Sequence, residues 1–254
     1  DDELYVLGDV VDRHGDGGVE TLLWMMEQPN ITLLKGNHEA MLLAADFLFE
    51  DISDEAADKL TYDQVNAMAH WMQNGAQPTL DSLQALHQKT PDTLYDLLDY
   101  LRDAPLYAAV SPDAGDFILT HAGLGNFSPE KKLSAYQADD LLWHRPAADE
   151  RYFPDITVIF GHTPTQFYAD GKAGRMYRTD TWIDIDTGAA GDGAQLHQHS
   201  AVHQQHGGSA VQGADKAVHL VQKCVVVGVQ LVGGLQAHLA GNLVGSAGQQ
   251  LLQT

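Results

Sequence analysis

Leu4-Tyr5-Val6-Leu7-Gly8-Asp9-Val10-Val11-Asp12-Arg13 and Ile31-Thr32-Leu33-Leu34-Lys35-Gly36-Asn37-His38-Glu39 decide how this chain is read. Each is an apolar run with strand character that breaks at a glycine into polar residues, and a helical apolar pattern follows each. Asp9, Asp12, Asn37 and His38 are therefore expected at the carboxyl ends of neighbouring strands, the rim where open α/β sheets hold their ligands. Carboxylate, amide oxygen and imidazole form the donor set of a hard or borderline divalent metal. Arg13 at the same rim suits a phosphate. Metal ligands beside a phosphate-binding arginine point to metal-assisted phosphoester hydrolysis.

Outward from these runs, strands and helices alternate from Leu4 to about Gly188, the pattern of an α/β fold. Helical spacing covers 19–28, 39–49, 61–72, 79–88 and 91–101, with Thr90 placed to cap the last and Pro91 at its first position. Strand character returns at 107–110, 117–120, 157–160 and 182–185. The segment Ser111-Pro112-Asp113-Ala114-Gly115-Asp116 has hairpin turn chemistry.

The chain of 254 residues carries a formal charge of −21. That balance disfavours nucleic acid or an anionic membrane as a partner, since both demand a basic face. It leaves a phosphorylated substrate open, because a metal supplies local positive charge. A single cysteine, Cys224, excludes an internal disulfide and suits a reducing compartment, here expected to be the cytoplasm. No apolar run approaches a membrane span, and Asp1-Asp2-Glu3 is the reverse of a basic leader. No feature sets an oligomeric state. With no initiator methionine and a strand almost at once, the chain is expected to be a fragment or a processed piece.

Composition divides the chain into 1–190, the unit that carries the opening runs, and an anomalous tail, 191–254. The tail contains no Phe, Tyr, Trp, Pro, Met, Ile, Arg or Glu. It reads either as a low-complexity, disordered segment or as a product of a shifted reading frame; the loss of whole residue classes favours the second. Val225-Val226-Val227-Gly228-Val229 within it is β-prone.

Three further runs extend the opening pair: Leu119-Thr120-His121-Ala122-Gly123, Val158-Ile159-Phe160-Gly161-His162-Thr163 and, between them, Leu142-Trp143-His144-Arg145. Taken singly, each aspartate would read as a turn or cap residue and each histidine as a satisfied core residue. In order, they match the motifs GDxxDRG, GNHE, H(A/G)G and GHT. On these residues the chain resembles the phosphoprotein phosphatase branch of the calcineurin-like metallophosphoesterases, in its bacterial form, over Leu4 to about Gly188.

The resemblance implies a central two-sheet β-sandwich flanked by helices, with the helical insertion 51–101 beside the mouth of the site. It implies two divalent ions, manganese foremost, with iron or zinc as alternatives. Asp9 would bridge them, and Asn37, His121 and His162 would complete the second ion's ligands. A hydroxide bridging the metals would attack phosphorus. His38 would protonate the leaving oxygen as general acid, Asp12 would hold His38, and Arg13 and Arg145 would grip the phosphate. The implied activity is hydrolysis of phosphomonoesters, with phosphoserine or phosphothreonine in proteins as leading substrate. A dinucleoside polyphosphate hydrolase such as a diadenosine tetraphosphate hydrolase is the alternative; Glu39 leans toward the protein phosphatase. The family's upstream GDxHG run has no counterpart here, which implies an incomplete first metal site and, as a third reading, an inactive fragment. His14-Gly15-Asp16 after Arg13, and Ala189-Ala190-Gly191 after the run ending at Gly188, also depart from the family pattern.

Overall fold

A computed structural model describes residues 3–50, 60–172, 174–188 and 226–227. Apart from 226–227, the anomalous tail lies outside the described residues, as does 51–59 of the helical insertion. In chain order the elements are β1 (Leu4–Val6), α1 (Val19–Met26), β2 (Ile31–Leu33), α2 (Asn37–Ala44), α3 (Tyr62–Gln73), α4 (Gln77–Lys89), α5 (Pro91–Asp103), β3 (Tyr107–Val110), β4 (Asp116–Thr120), α6 (Ala138–Leu142), β5 (Ile156–Phe160), β6 (Tyr177–Arg178), β7 (Trp182–Asp184) and β8 (Val226–Val227).

They form two sheets. One is parallel, in the order β2-β1-β8; the other is mixed, in the order β3-β4-β5-β7-β6, with β4, β5 and β7 parallel and the hairpin partners β3 and β6 antiparallel at its edges. Side-chain alternation along the strands assembles three cores. Leu7, Leu34, Phe117, Leu119, Ile159 and Ile183 meet between the sheets. Val6 and Leu33 point the other way, into a core shared with helices α1 to α5. Ile118, Val158, Phe160 and Trp182 pack on the far side with Leu141 of α6 and Tyr152. The expected two-sheet α/β architecture is the observed one.

Local differences have local causes. The helix expected over 39–49 stops at Ala44, and a 3-10 turn, Asp46–Phe49, follows. Phe47 and Phe49 are both buried, two residues apart, a spacing that an α-helix would split between faces. Thr90 precedes α5 as expected, but its side chain makes no capping bond. It also closes α4, and its carbonyl accepts the backbone N–H groups of Thr93 and Leu94. Thr61, by contrast, caps α3 through its side chain, with Gln64 answering. Among the described residues no helix is long and apolar enough to cross a membrane.

Candidate active site

The carboxyl ends of β1, β2, β4 and β5 lead directly into Asp9, into Asn37 and His38, into His121, and into His162. The two loops after β1 and β2 touch backbone to backbone. A Cβ at Gly8 would collide with the Gly36 backbone, and a Cβ at Gly36 with Asp9 and Glu39, so both positions need glycine. Asp9, Asp12, Arg13 and His162 all adopt positive φ, at 58°, 81°, 70° and 70°. Side-chain-bearing residues rarely take this conformation, and clusters of it mark functional sites.

His121 is fixed from behind. Its Nδ1–H donates to the Leu7 carbonyl at 2.6 Å, which turns Nε2 toward the rim. Around Nε2 stand Asn37 Oδ1 at 2.8 Å, His162 Nδ1 at 3.2 Å and Asp9 Oδ1 at 3.4 Å. Asp9, His121 and His162 each bring one ligand atom to within 4.8 Å of the others. Burial and the neighbouring His121 push the His162 pKa down to about 3, so this imidazole stays neutral, as a metal ligand must. Its buried Nε2 has no hydrogen-bond partner. At Asp9 burial acts to raise the pKa, but the interactions with His121, His38 and His162 and the His38 backbone N–H outweigh it, and the net shift is downward. Convergent lone pairs from two imidazoles, a carboxylate and an amide oxygen fit a divalent ion. Asp9, Asn37, His121 and His162 are the residues that would hold it.

Beside this cluster lies a dyad. His38 Nδ1 is 2.6 Å from Asp12 Oδ2, and both residues are buried. Burial acts to lower the His38 pKa, but the Asp12 hydrogen bond and the charges of Asp9 and Asp12 outweigh it, and the net shift is upward. The other face of the ring, Nε2, lies 2.9 Å from Arg13 Nη2. Arg13 is exposed, as a group that reaches for a ligand must be. Arg145 is also exposed; it donates to Thr163 Oγ1 at 3.3 Å and lies close enough for its charge to lower the His162 pKa. All eight sequence-named residues, Asp9, Asp12, Arg13, Asn37, His38, His121, Arg145 and His162, are thus gathered at one rim.

Other residues at the rim escaped the sequence reading. Glu39 entered only as a branch marker, yet its carboxylate accepts four backbone N–H groups, those of Asp9 (2.8 Å), Val10 (2.7 Å), Val11 (3.3 Å) and Gly36 (2.8 Å). Its signal was available: an acid at the third helical position reaches back to the residue before the helix. Asp12 receives the indole N–H of Trp71, at 3.0 Å to each oxygen, and the hydroxyl of Thr79 at 2.8 Å. Nothing in the sequence links Trp71 or Thr79 to Asp12. The insertion expected beside the mouth thus supplies two buried donors to Asp12. Asp184 ends β7 and Asp186 follows it; burial pushes the Asp184 pKa up to about 8, and Tyr168 donates to it at 3.1 Å.

Comparison with curated proteins gives no match. A family model does: that of the calcineurin-like phosphoesterases matches residues 1–185, and the chain belongs to this family of metal-dependent phosphoester hydrolases.

Proposed function

We propose that this chain hydrolyses phosphomonoesters, with phosphoserine and phosphothreonine side chains of proteins as its substrates, and that His38 is the general acid. One observation carries the reading: an Asp12–His38 dyad at 2.6 Å shares a rim with a metal-competent cluster and two exposed arginines. A divalent ion in that cluster supplies Lewis-acid charge to the phosphoryl oxygens. Arg13 and Arg145 bind the remaining oxygens through charge-assisted hydrogen bonds. Asp12 accepts from Nδ1–H and favours the imidazolium, whose Nε2–H is then the proton offered to the leaving oxygen. A water oxygen forms a new bond to phosphorus and gives a proton to solvent; the ester P–O bond breaks with its electron pair on the leaving oxygen, which takes the Nε2 proton of the imidazolium. Because Arg13 stands 2.9 Å from Nε2, it moves onto the substrate phosphate for that transfer.

Glu39 after His38 supports the protein phosphatase branch, with manganese as the preferred ion. The acidic balance and lone cysteine support a cytoplasmic enzyme whose partners are phosphoproteins or small phosphoesters, not nucleic acid or membrane. The test compares a phosphoseryl peptide with diadenosine tetraphosphate in the presence of Mn²⁺, Fe²⁺ or Zn²⁺, with metal content read by mass spectrometry. Faster cleavage of the peptide is expected. Faster cleavage of the dinucleotide would overturn the substrate assignment, and no cleavage of either would overturn the enzymatic one.

A further inference from the structure

We propose that the elbow between α3 and α4 is part of the proton-donating machinery, with Trp71 and Thr79 as positioning residues for the Asp12–His38 dyad. This rests on the assignment of His38 as general acid.

The Asp12 carboxylate has no freedom to turn. Oδ2 takes His38 Nδ1 at 2.6 Å. The Trp71 indole N–H lies 3.0 Å from both oxygens. Thr79 Oγ1 donates to Oδ1 at 2.8 Å and in return accepts the Asp12 backbone N–H at 2.9 Å. Trp71 and Thr79 are both completely buried, so these bonds are shielded from competing water. Two donors aimed at one carboxylate keep it an acceptor, and an ionised acceptor at that place holds one His38 proton on Nδ1 and favours the imidazolium that carries the second on Nε2.

The same elbow also holds the neighbouring residue. The Arg13 backbone N–H donates to the Gly75 carbonyl at 2.8 Å, and Arg13 Nε lies 3.4 Å from the Asn74 carbonyl. A Cβ at Gly75 would strike the Arg13 side chain, which explains the glycine there. His70, one residue before Trp71, stacks on Trp143, whose edge meets His162. Asp12 and Arg13, both at positive φ, are therefore kept in place by a segment some sixty residues further along the chain. Glu39 does the corresponding work for Asp9, Val10 and Val11.

The test uses Trp71→Phe, which keeps a ring and removes the donor, and Thr79→Val, which keeps the shape and removes the hydroxyl. Thr79→Ser is the rescue control. A general acid matters most when the leaving oxygen is basic. Loss of one hydrogen bond to the charged carboxylate should lower kcat for an alkyl phosphate roughly tenfold, with KM and metal content unchanged. Hydrolysis of 4-nitrophenyl phosphate should change by less than about twofold. Thr79→Ser should restore the alkyl ester. An equal fall on both esters would overturn the proposal, because a structural defect does not read the leaving group.

A second measurement needs no catalysis. In the metal-free protein the Trp71 indole proton, assigned by its loss in Trp71→Phe, should resonate downfield and move upfield in Asp12→Asn. An indole resonance indifferent to Asp12→Asn would overturn the contact on which the proposal stands. If the wild-type chain cleaves no ester, the reaction assignment fails, and this resonance alone decides whether Trp71 holds Asp12.

Discussion

Arg13 Nη2 lies 2.9 Å from His38 Nε2, so the proposed phosphate grip and the proposed proton donor hold each other. Arg13→Ala should free His38 but remove a grip on the phosphate. The expected result is a KM raised roughly tenfold and inorganic phosphate weakened by a similar factor as an inhibitor. Steady-state kinetics with phosphate as competitor checks both.

His38→Asn removes the proton donor and leaves the metal cluster intact. For an alkyl phosphate kcat should fall on the order of 100-fold to 10,000-fold, while metal content by mass spectrometry stays at the wild-type level. A parallel loss of metal would refute the role assigned to His38.

The convergence on His121 Nε2 makes the ion a source of stability. Free Mn²⁺ at about 100 times its Kd should stabilise the chain by about 2.7 kcal/mol, and chelation should reverse the gain. His162→Ala should bind the ion more weakly and lose most of that response. Thermal melts with and without EDTA measure it.

Glu39→Gln replaces one acceptor oxygen with an NH₂ group that faces backbone N–H groups. Leaving buried donors unpaired costs about 1–3 kcal/mol, a fall in Tm of roughly 2–12 °C for a chain of this size. Metal affinity should fall roughly tenfold or more, since Glu39 sets the backbone that carries Asp9. Calorimetry gives the first and metal titration the second.

Asp184 has a pKa pushed up to about 8 by burial, against an ordinary value of 3.8. The folded chain thus binds a proton there that the unfolded chain releases. The stability from this group is fully present below pH 3.8 and is lost as pH rises toward about 8, by at most about 1.4 kcal/mol per pH unit. Asp184→Asn, neutral at every pH, should gain in Tm on the wild type more at pH 8 than at pH 5.

The metal half of the site was legible because each ligand follows an apolar strand, with a glycine directly before Asp9, Asn37 and His162 and two residues after His121, so chain order alone places each at a carboxyl end. The sandwich was legible in its alternation, which assigns Phe117 and Leu119 to one face and Ile118 to the other. What escaped was carried by tertiary approach. Trp71 needs a partner for its buried N–H, but only the packing of α3 shows that the partner is Asp12. The left-handed backbone at Asp9, Asp12, Arg13 and His162 was equally hidden, since glycine is the usual signal for it and none of these residues is glycine. The break after α2 escaped because Phe47 and Phe49 look like a continued apolar face until both are seen to be buried.

Those four left-handed residues have a consequence for how the protein tolerates change. Each departs from its preferred conformation at a cost of order 1–3 kcal/mol, and glycine at any of them would relieve the strain. At the buried Asp12 that relief is offset by the donors of His38, Trp71 and Thr79, which glycine would leave unpaired. Screening variants for heat resistance alone would therefore reward glycine chiefly at the exposed Arg13, the proposed phosphate grip. Selection for the fold and selection for the chemistry should be separable at that residue.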